Sequence, residues 1–388
     1  MKKHGKQFIR STLATLLTIY TALAADPLTS SLAIPTSDSS NRIRKDQWHL
    51  QFLRMTEVHK VSHGEGVVVA VPDTGVAPHP DLIANVLPGI DIIPGGSGDG
   101  RQDINSHGTC MAGIIAAHGR NNEVGALGIA PRSKILPIYD TPRDGLGSPA
   151  DLARSIEYSV RKGAGVISIS AASSATVEMQ HAIKSAVAAN VTVVAAAGNL
   201  PRESEVTYPA SEDAVIAVGG IDREGNRASI SVTGPEIDVV APAVDIYCTG
   251  LNGRYRVSTG TSDATAIVAG AAALIRSKYP HLPAAEVAHR LTATAVDKGP
   301  PGRDDEYGHG VLDIVAALTA DVPPLGFESS AVTPPATNSP AARAPDAGSD
   351  STTARGLVTL GVLVAAGGGY WVWRRRRHAD DPPPRISR

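Results

Sequence analysis

The feature that most constrains the fold is an alternation of short apolar runs with longer segments of helical period. Unbroken runs of this length, ended by Gly, Asp or Ser, are typical of strands covered on both faces. The runs are GVVVAVPD (66–73), SKILPIYD (133–140), AGVISIS (164–170), NVTVVAAAGN (190–199) and DAVIAVGG (213–220). The helical segments are 108–119, 149–163, 176–190, 262–280 and 283–295. This alternation predicts an α/β fold with a mostly parallel sheet and helices on both faces, whose site lies at the carboxyl ends of the strands.

The first residues have the plan of a secretory signal peptide. A basic start is followed by an apolar stretch over 12–22 and by Ala22-Leu23-Ala24, which predicts a signal peptide over 1–24. A mitochondrial presequence is the alternative, but it would be richer in Arg and Ser and would lack the compact apolar block. Residues 25–60 then form an N-terminal extension ahead of a single folded domain, 61–320.

The last residues predict a membrane anchor. Residues 321–355 are rich in Pro, Ala, Ser and Thr and read as a disordered linker. Residues 356–373 are uncharged and would form a helix about 27 Å long, close to the hydrocarbon thickness. A buried core helix fits poorly, because four arginines follow at once in the basic tail, 374–388. The positive-inside rule places this tail in the cytoplasm and the folded domain outside the cell, at a single-pass cell-membrane anchor.

Charge and cysteine content limit the partners and cofactors. A net charge of −2 argues against nucleic acid as the main partner. Cys110 and Cys248 can form a disulfide in an exported protein, or remain two buried thiols, and they are too few for a structural zinc site. No cofactor or metal is predicted. Scattered acids such as Asp99 and Asp103 leave structural calcium open, but they could be ordinary solvated loop residues.

Two candidate site residues stand at the end of the first apolar run and at the start of the next helical segment. Asp73 ends this run in VVVAVPDTGV, where it could serve only the turn. Aspartic peptidases also use Asp-Thr-Gly, but they need two such carboxylates sharing a proton, and the chain has one DTG. His107 opens the next helical segment in NSHGTCMAGIIAA, where a lone histidine could be only a polar residue at a helix start.

Two further candidates complete the chemistry of acyl transfer. Ser262, in GTSDATAIVAG, is either a helix N-cap or a nucleophile at the positive end of a helix. Asn199 follows a buried run in VVAAAGN, where it either stabilises a turn or donates to an oxyanion. A hydroxyl, an imidazole base and an orienting carboxylate are what nucleophilic acyl transfer requires.

The ordered motifs DTG, HGT, AAAGN and GTS…VAG resemble those of the subtilisin-like serine peptidases, over about residues 47–317. The resemblance implies Asp73 as orienting acid, His107 as general base and then acid, and Ser262 as nucleophile. It also implies Asn199 as oxyanion donor beside the Ser262 amide. The stretch ISISAA (167–172) matches the family's substrate-pairing segment, so that Ser170 and Ala172 are expected to contact extended protein or peptide substrates.

The layout of signal, linker, span and basic tail is similar to that of the mycosins, membrane-anchored subtilisins of actinobacterial type VII secretion. That resemblance implies an extracytoplasmic serine endopeptidase that cleaves exported proteins and associates with a secretion complex. The alternative is a non-catalytic partner that stabilises such a complex. The N-terminal extension is expected to wrap over the domain through Trp48, Leu50 and Leu53, and to stay attached without blocking the cleft.

The chain departs from the family pattern at three places. Thr265-Ala266 stands where Ala-Pro or a similar pair is usual, with little chemical effect expected. Ser106 and Cys110 replace the common Gly before, and His after, the HGT motif. These departures bear on fine geometry and leave the three catalytic candidates in place.

Overall fold

The five apolar runs each contain a strand of one sheet. The computed structural model describes residues 39–93, 95–120, 124–142 and 147–326. Strands in this part of the chain are β1 Val68–Asp73, β2 Ile90–Asp91, β3 Lys134–Tyr139, β4 Val166–Ile169, β5 Thr192–Ala196, β6 Ile216–Ile221, β7 Val239–Pro242, β8 Ile246–Thr249 and β9 Tyr255–Ser258.

In the described part of the chain, helices occupy all five segments with helical period, three more precede the first strand, and one follows the last of the five segments. In the described ranges they are α1 Ser39–Asp46, α2 Trp48–Phe52, α3 Met55–Val58, α4 His107–Ala116, α5 Pro149–Arg161, α6 Val177–Ala188, α7 Thr261–Lys278, α8 Ala284–Ala293 and α9 Ile314–Thr319. The α5 helix is capped by Ser148, whose hydroxyl accepts the N–H of Asp151 at 3.0 Å, and α6 is capped in the same way by Thr176. Such caps satisfy backbone donors that a helix start leaves unpaired.

The main sheet is parallel throughout its described strands. Its order is β2-β3-β1-β4-β5-β6-β7, with every neighbouring pair parallel. In the register of β1, Val69 lies between Ile135 of β3 and Val166 of β4. The β8 and β9 strands form a separate antiparallel hairpin. The predicted α/β fold with a mostly parallel sheet is therefore confirmed.

Alternate side chains of each strand enter different cores. Val69 and Val71 belong to the core that contains α4, α7, α8 and α9, whereas Ala70 belongs to the core that contains α5 and α6. Both faces of the sheet are thus covered by helices, as unbroken apolar strands require.

The α7 helix, which carries Ser262, is buried along most of its length. From Thr261 to Ile275 every residue except Ser262 is buried, as expected for a helix that is apolar on all sides. Gly270 lets another backbone segment approach, since a Cβ there would lie 2.6 Å from the Cβ of Ile129. Close packing of α7 under the sheet fixes the position of its first turn.

The described part of the N-terminal extension packs against the domain. Leu50 and Leu53 join the core cluster of α4 and α7, with Trp48 packed at its margin. The indole Nε1 of Trp48 donates to the carbonyl of Val244 at 3.1 Å, and Arg54 pairs with Asp313 at 2.5 Å. The anchoring expected of Trp48, Leu50 and Leu53 is confirmed.

Several predicted segments lie outside the described residues. These are the signal peptide over 1–24, the start of the extension before residue 39, the linker beyond residue 326, the span over 356–373 and the basic tail. Among the helices that the structure does describe, none is long and apolar enough to cross a membrane.

Candidate active site

Asp73 and His107 meet where β1 ends and α4 begins. The Nδ1 of His107 lies 2.9 Å from Oδ1 and 2.8 Å from Oδ2 of Asp73. The Asp73 side chain is 4% exposed and that of His107 is 28% exposed, so a substrate can reach the imidazole. Oδ1 of Asp73 also accepts the N–H of Thr74 at 2.6 Å. Asp73 therefore serves both the turn and the histidine.

The start of α4 is organised by Asp103, which is 8% exposed. Its Oδ1 accepts the N–H groups of Asn105 and Ser106, both at 2.8 Å, and the hydroxyl of Thr74 at 3.0 Å. Its Oδ2 accepts both the N–H and the hydroxyl of Thr109. A carboxylate here also complements the positive end of the helix dipole. Asp103 thus fixes the helix start that carries His107.

The sequence alone does not reveal this role of Asp103, which is compatible there with a metal ligand or a solvated loop acid. The available signal was an acid a few residues ahead of a helix start. Asp99, the other acid of that pair, binds Arg101 instead, at 2.5 Å. Among the described residues, no group of three or more His, Cys, Asp or Glu side chains is arranged to hold a metal ion.

The electrostatics of His107 favour its protonated form. Burial lowers the pKa of His107, but the attraction and hydrogen bond from Asp73 and the attraction from Asp263 outweigh burial and opposition from Arg256, so the net pKa is raised. Asp263 was not singled out in the sequence. Its signal was an acidic residue directly after Ser262, inside an otherwise apolar helical segment.

Ser262 is the second residue of α7 and is half-buried. The helix is N-capped at Gly260 without a side-chain capping bond, so the alternative of Ser262 as an N-cap is wrong. Backbone N–H groups in the first turn of a helix have no intrahelical acceptor. The Ser262 N–H therefore stands at the positive end of α7, beside its own hydroxyl.

Asn199 is tied to the residue that precedes Ser262. Its Oδ1 accepts the N–H of Thr261 at 2.8 Å, while its own backbone N–H donates to Oε2 of Glu203 at 2.8 Å. With the amide oxygen engaged in this way, the Nδ2 group is the part of Asn199 that remains to donate. The side chain therefore links the end of β5 to the start of α7.

The two expected substrate contacts lie just beyond β4. Ser170 is half-buried, and its hydroxyl donates to the backbone carbonyl of Ser262 at 3.4 Å. Ala172 is exposed. Ser170 thus contacts Ser262, the candidate nucleophile. Ala172, in the same segment, lies at the protein surface.

The three departures from the family pattern have local explanations. Ser106 has φ of 82°, a left-handed conformation that explains why Gly is common at this place. Cys110 forms a disulfide with Cys248, which resolves the open pairing. The Thr265 hydroxyl bonds back to the carbonyl of Thr261 at 2.8 Å, and α7 continues unbroken through Ala266.

Comparison with known proteins identifies the family. A model of the Subtilase family of S8 peptidases matches residues 64–310. A thermostable alkaline protease of Halalkalibacterium halodurans is 39% identical over 267 residues, covering 68% of this chain and 71% of the relative. Mycosin-1 of Mycobacterium tuberculosis is 34% identical over 352 residues, covering 75% of this chain and 77% of the relative.

Solved structures show the same relationship. MycP1 with its N-terminal propeptide removed is 33% identical with a TM-score of 0.65, covering 71% of this chain and 98% of that one. MycP1 from Mycobacterium smegmatis is 30% identical with a TM-score of 0.66, covering 76% and 88%. The family match spans more than half of the chain and agrees with the fold described above. The chain therefore belongs to the subtilase family, as a subtilisin-like serine endopeptidase related to the mycosins.

Proposed function

We propose that the chain is a membrane-anchored, extracytoplasmic endopeptidase that cleaves exported proteins through a Ser-His-Asp acyl-enzyme mechanism. The observation that carries this proposal is the bond from His107 to the buried carboxylate of Asp73, with both oxygens within 2.9 Å of Nδ1. A proton held on Nδ1 leaves Nε2 as the basic nitrogen, which is the tautomer a general base needs.

The reaction then follows from the roles of four side chains. Nε2 of His107 takes the proton of the Ser262 hydroxyl, and Oγ attacks the carbonyl carbon of the peptide bond. Asn199 Nδ2 and the Ser262 N–H donate to the oxyanion. His107 passes the proton to the leaving amine, and an activated water next hydrolyses the acyl-enzyme. Asp73 keeps the imidazole oriented and stabilises its charge throughout.

Substrate recognition is proposed for the segment that follows β4. An extended peptide can add to such a segment as a further strand, which gives main-chain affinity with modest dependence on sequence. Ser170 and Ala172 are the proposed contacts. Support comes from the hydrogen bond between Ser170 and the backbone of Ser262, which joins this segment to the proposed nucleophile.

Location and partners are proposed from the ends of the chain and from its relatives. The uncharged stretch 356–373 with four arginines behind it supports a single span with the domain outside. One related structure is of MycP1, described as an essential component of the type VII (ESX-1) secretion system. Association with a secretion complex of that type is proposed on this relationship.

The catalytic proposal is tested with a fluorophosphonate probe, which labels activated serines. Wild-type protein and a Ser185→Ala control in α6 are expected to be labelled, and Ser262→Ala to remain unlabelled while folded, because only the nucleophile is removed. Equal labelling of Ser262→Ala would overturn the nucleophile assignment. If Ser262→Ala protein also restores secretion in cells lacking the wild-type copy, docking and not catalysis is its essential role there.

Orientation in the membrane is tested separately. Protease added to intact spheroplasts is expected to remove the domain and to spare a tag placed after Arg388. A soluble product that still carries this tag would contradict the proposed span.

A further inference from the structure

A second buried carboxylate lies beside the proposed catalytic residues. Asp263 follows Ser262 directly in the first turn of α7 and has no exposed surface. Its neighbours in the helix, Ala264 and Thr265, are also fully buried. Burying a carboxylate is costly unless partners offset the loss of water. Asp263 must therefore be stabilised by contacts within the protein.

The hydrogen bonding of Asp263 is sparse. Its Oδ2 accepts the hydroxyl of Ser258 at 2.9 Å. Its Oδ1 lies 3.9 Å from Sγ of Cys110, which carries no proton because it is bonded to Cys248. The positive end of the α7 dipole supplies further stabilisation. The backbone N–H of Asp263 itself adds a further hydrogen bond. Among the described residues, these contacts offset only part of the cost of burying a carboxylate anion.

The charged groups that interact with Asp263 come from two neighbouring elements. They are His107 at the start of α4 and Arg256 on β9. Arg256 is 9% exposed, and its Nε has no hydrogen-bond partner among the described residues. The charge of Asp263 is thus influenced by one imidazole and one guanidinium, and its hydroxyl donor is Ser258.

The disulfide holds these elements together. Cys110 is on α4, three residues after His107, and Cys248 is on β8, the strand paired with β9. The hydroxyl of Thr249 adds a bond to the carbonyl of Thr109 at 2.6 Å. The hairpin that carries Ser258 and Arg256 is therefore fastened to the helix that carries His107.

The protonation of Asp263 and that of His107 depend on each other. Burial raises the pKa of Asp263 to about 7, although Ser258, His107 and Arg256 act to lower it. In return, the charge of Asp263 raises the pKa of His107. Two groups that interact in this way lose their protons as a coupled pair.

We propose that Asp263 is a positioning residue of the peptidase reaction, a second buried carboxylate that joins Asp73 in stabilising the positive charge of His107 when Ser262 is deprotonated. This proposal rests on the catalytic roles proposed above. Acyl transfer places a proton on the imidazole, and a fixed anion already next to it stabilises that charge without reorganisation of solvent. Asp263 acts through His107 and makes no contact with the substrate.

The proposal predicts a particular pH dependence. Below about pH 7 Asp263 is mainly neutral and its support of the imidazolium is weak. Above that pH it is ionised and its support is present. Replacing it by a neutral isostere lowers the pKa of His107, so that the imidazole becomes a free base at lower pH.

The test compares Asp263→Asn with Asp245→Asn. Asp245 is an exposed acid in the bend before β8, and its replacement changes the net charge by the same amount. Asn keeps an oxygen to accept from Ser258. We expect kcat of Asp263→Asn to fall about tenfold at pH 8.5, and the acidic limb of kcat/KM to move to lower pH. The plots of kcat/KM against pH for Asp263→Asn and wild type then converge or cross at acidic pH. General damage to the fold would instead lower kcat/KM at every pH.

The pKa of His107 is measured independently by NMR titration of its ring in the Ser262→Ala background. A lower pKa in Ser262→Ala/Asp263→Asn would show that the charge of Asp263 raises the pKa of His107, and this readout does not depend on peptidase activity. An unchanged His107 pKa, or the same change with Asp245→Asn, would overturn it. Ser258→Ala serves as a second variant if Asp263→Asn is unstable. It removes the hydroxyl that donates to the Asp263 carboxylate, so the pKa of Asp263 should rise and the pKa of His107 should fall. An unchanged pKa of His107 in this variant would count against the proposal.

Discussion

Nδ1 of His107 lies almost equidistant from the two carboxylate oxygens of Asp73, at 2.9 and 2.8 Å. The carboxylate ends a central strand of a parallel sheet and the imidazole begins a helix, so both groups sit on rigid elements. Their meeting at the carboxyl edge of the sheet follows from the topology, because that is where the strand-to-helix turns converge. The proposed base is therefore oriented by the fold before any substrate binds.

The first prediction concerns this orientation. Asp73→Asn keeps the shape of the side chain but presents an amide to Nδ1, which favours the wrong imidazole tautomer. We expect kcat toward a peptide ester to fall about 10⁴-fold, with the fold retained. Asp305→Asn, an exposed control, should match wild type. A loss of less than about tenfold in Asp73→Asn would mean that Asp73 is not the orienting acid.

The second prediction concerns the oxyanion. Asn199→Ala should lower kcat by about 10²- to 10³-fold with little change in KM, because the donor acts on charge that develops in the transition state. The substitution also removes the acceptor for the N–H of Thr261. Asn199→Asp separates the two effects, since it retains that acceptor and lacks the donor. Near wild-type kcat in Asn199→Asp would assign Asn199 a purely structural role.

Much of the fold could be predicted because a strand that is buried on both faces has a recognisable local sequence pattern. A strand covered by helices on each side must be an unbroken apolar run, so β1, β3, β4, β5 and β6 were visible in the sequence. The short β2, with two residues, the four-residue β7 at the other edge of the sheet and the β8–β9 hairpin were not. Strands of this kind depend on pairing partners brought close by the rest of the chain.

The candidate site was also predictable only in part: residues in local motifs could be identified, and residues that depend on long-range contacts could not. Asp73, His107, Asn199 and Ser262 stand at strand ends and helix starts, where local motifs mark them. Asp103 acquires its role only when its loop folds back onto the start of α4. The pairing of Cys110 with Cys248 joins positions 138 residues apart, and depends on a distance that spacing does not reveal.

The third prediction concerns this disulfide. Closing so long a loop is worth about 4 to 5 kcal/mol in the chain-entropy account, and measured losses are commonly about 2 to 5 kcal/mol. We expect Cys110→Ala/Cys248→Ala to unfold in urea with a free energy lower by about that amount. Reducing agent should destabilise wild type and leave the double variant unchanged. Equal urea midpoints for oxidised wild type and the variant would contradict the prediction.

The docked extension contains a group that makes its attachment sensitive to acid. His49 in α2 has no exposed surface, and neither ring nitrogen has a hydrogen-bond partner among the described residues. Burial lowers the pKa of His49 to about 3, whereas an undocked histidine titrates near 6.5. The undocked state therefore binds more protons between about pH 6.5 and 3, and docking weakens as pH falls through this window.

The fourth prediction is that acid loosens the extension and that His49→Leu prevents this. While His49 is neutral when docked and charged when undocked, the free energy of docking should fall by about 1.4 kcal/mol per pH unit. Hydrogen exchange of the amides in α2, corrected for the intrinsic effect of pH, measures this fall between pH 7 and 4.5. His49→Leu keeps an apolar group of similar size in the core and removes the titration, so its protection should stay nearly constant. His181→Leu, on the exposed face of α6, should retain the wild-type slope. Equal slopes in His49→Leu and wild type would show that the buried imidazole is not the source of acid sensitivity.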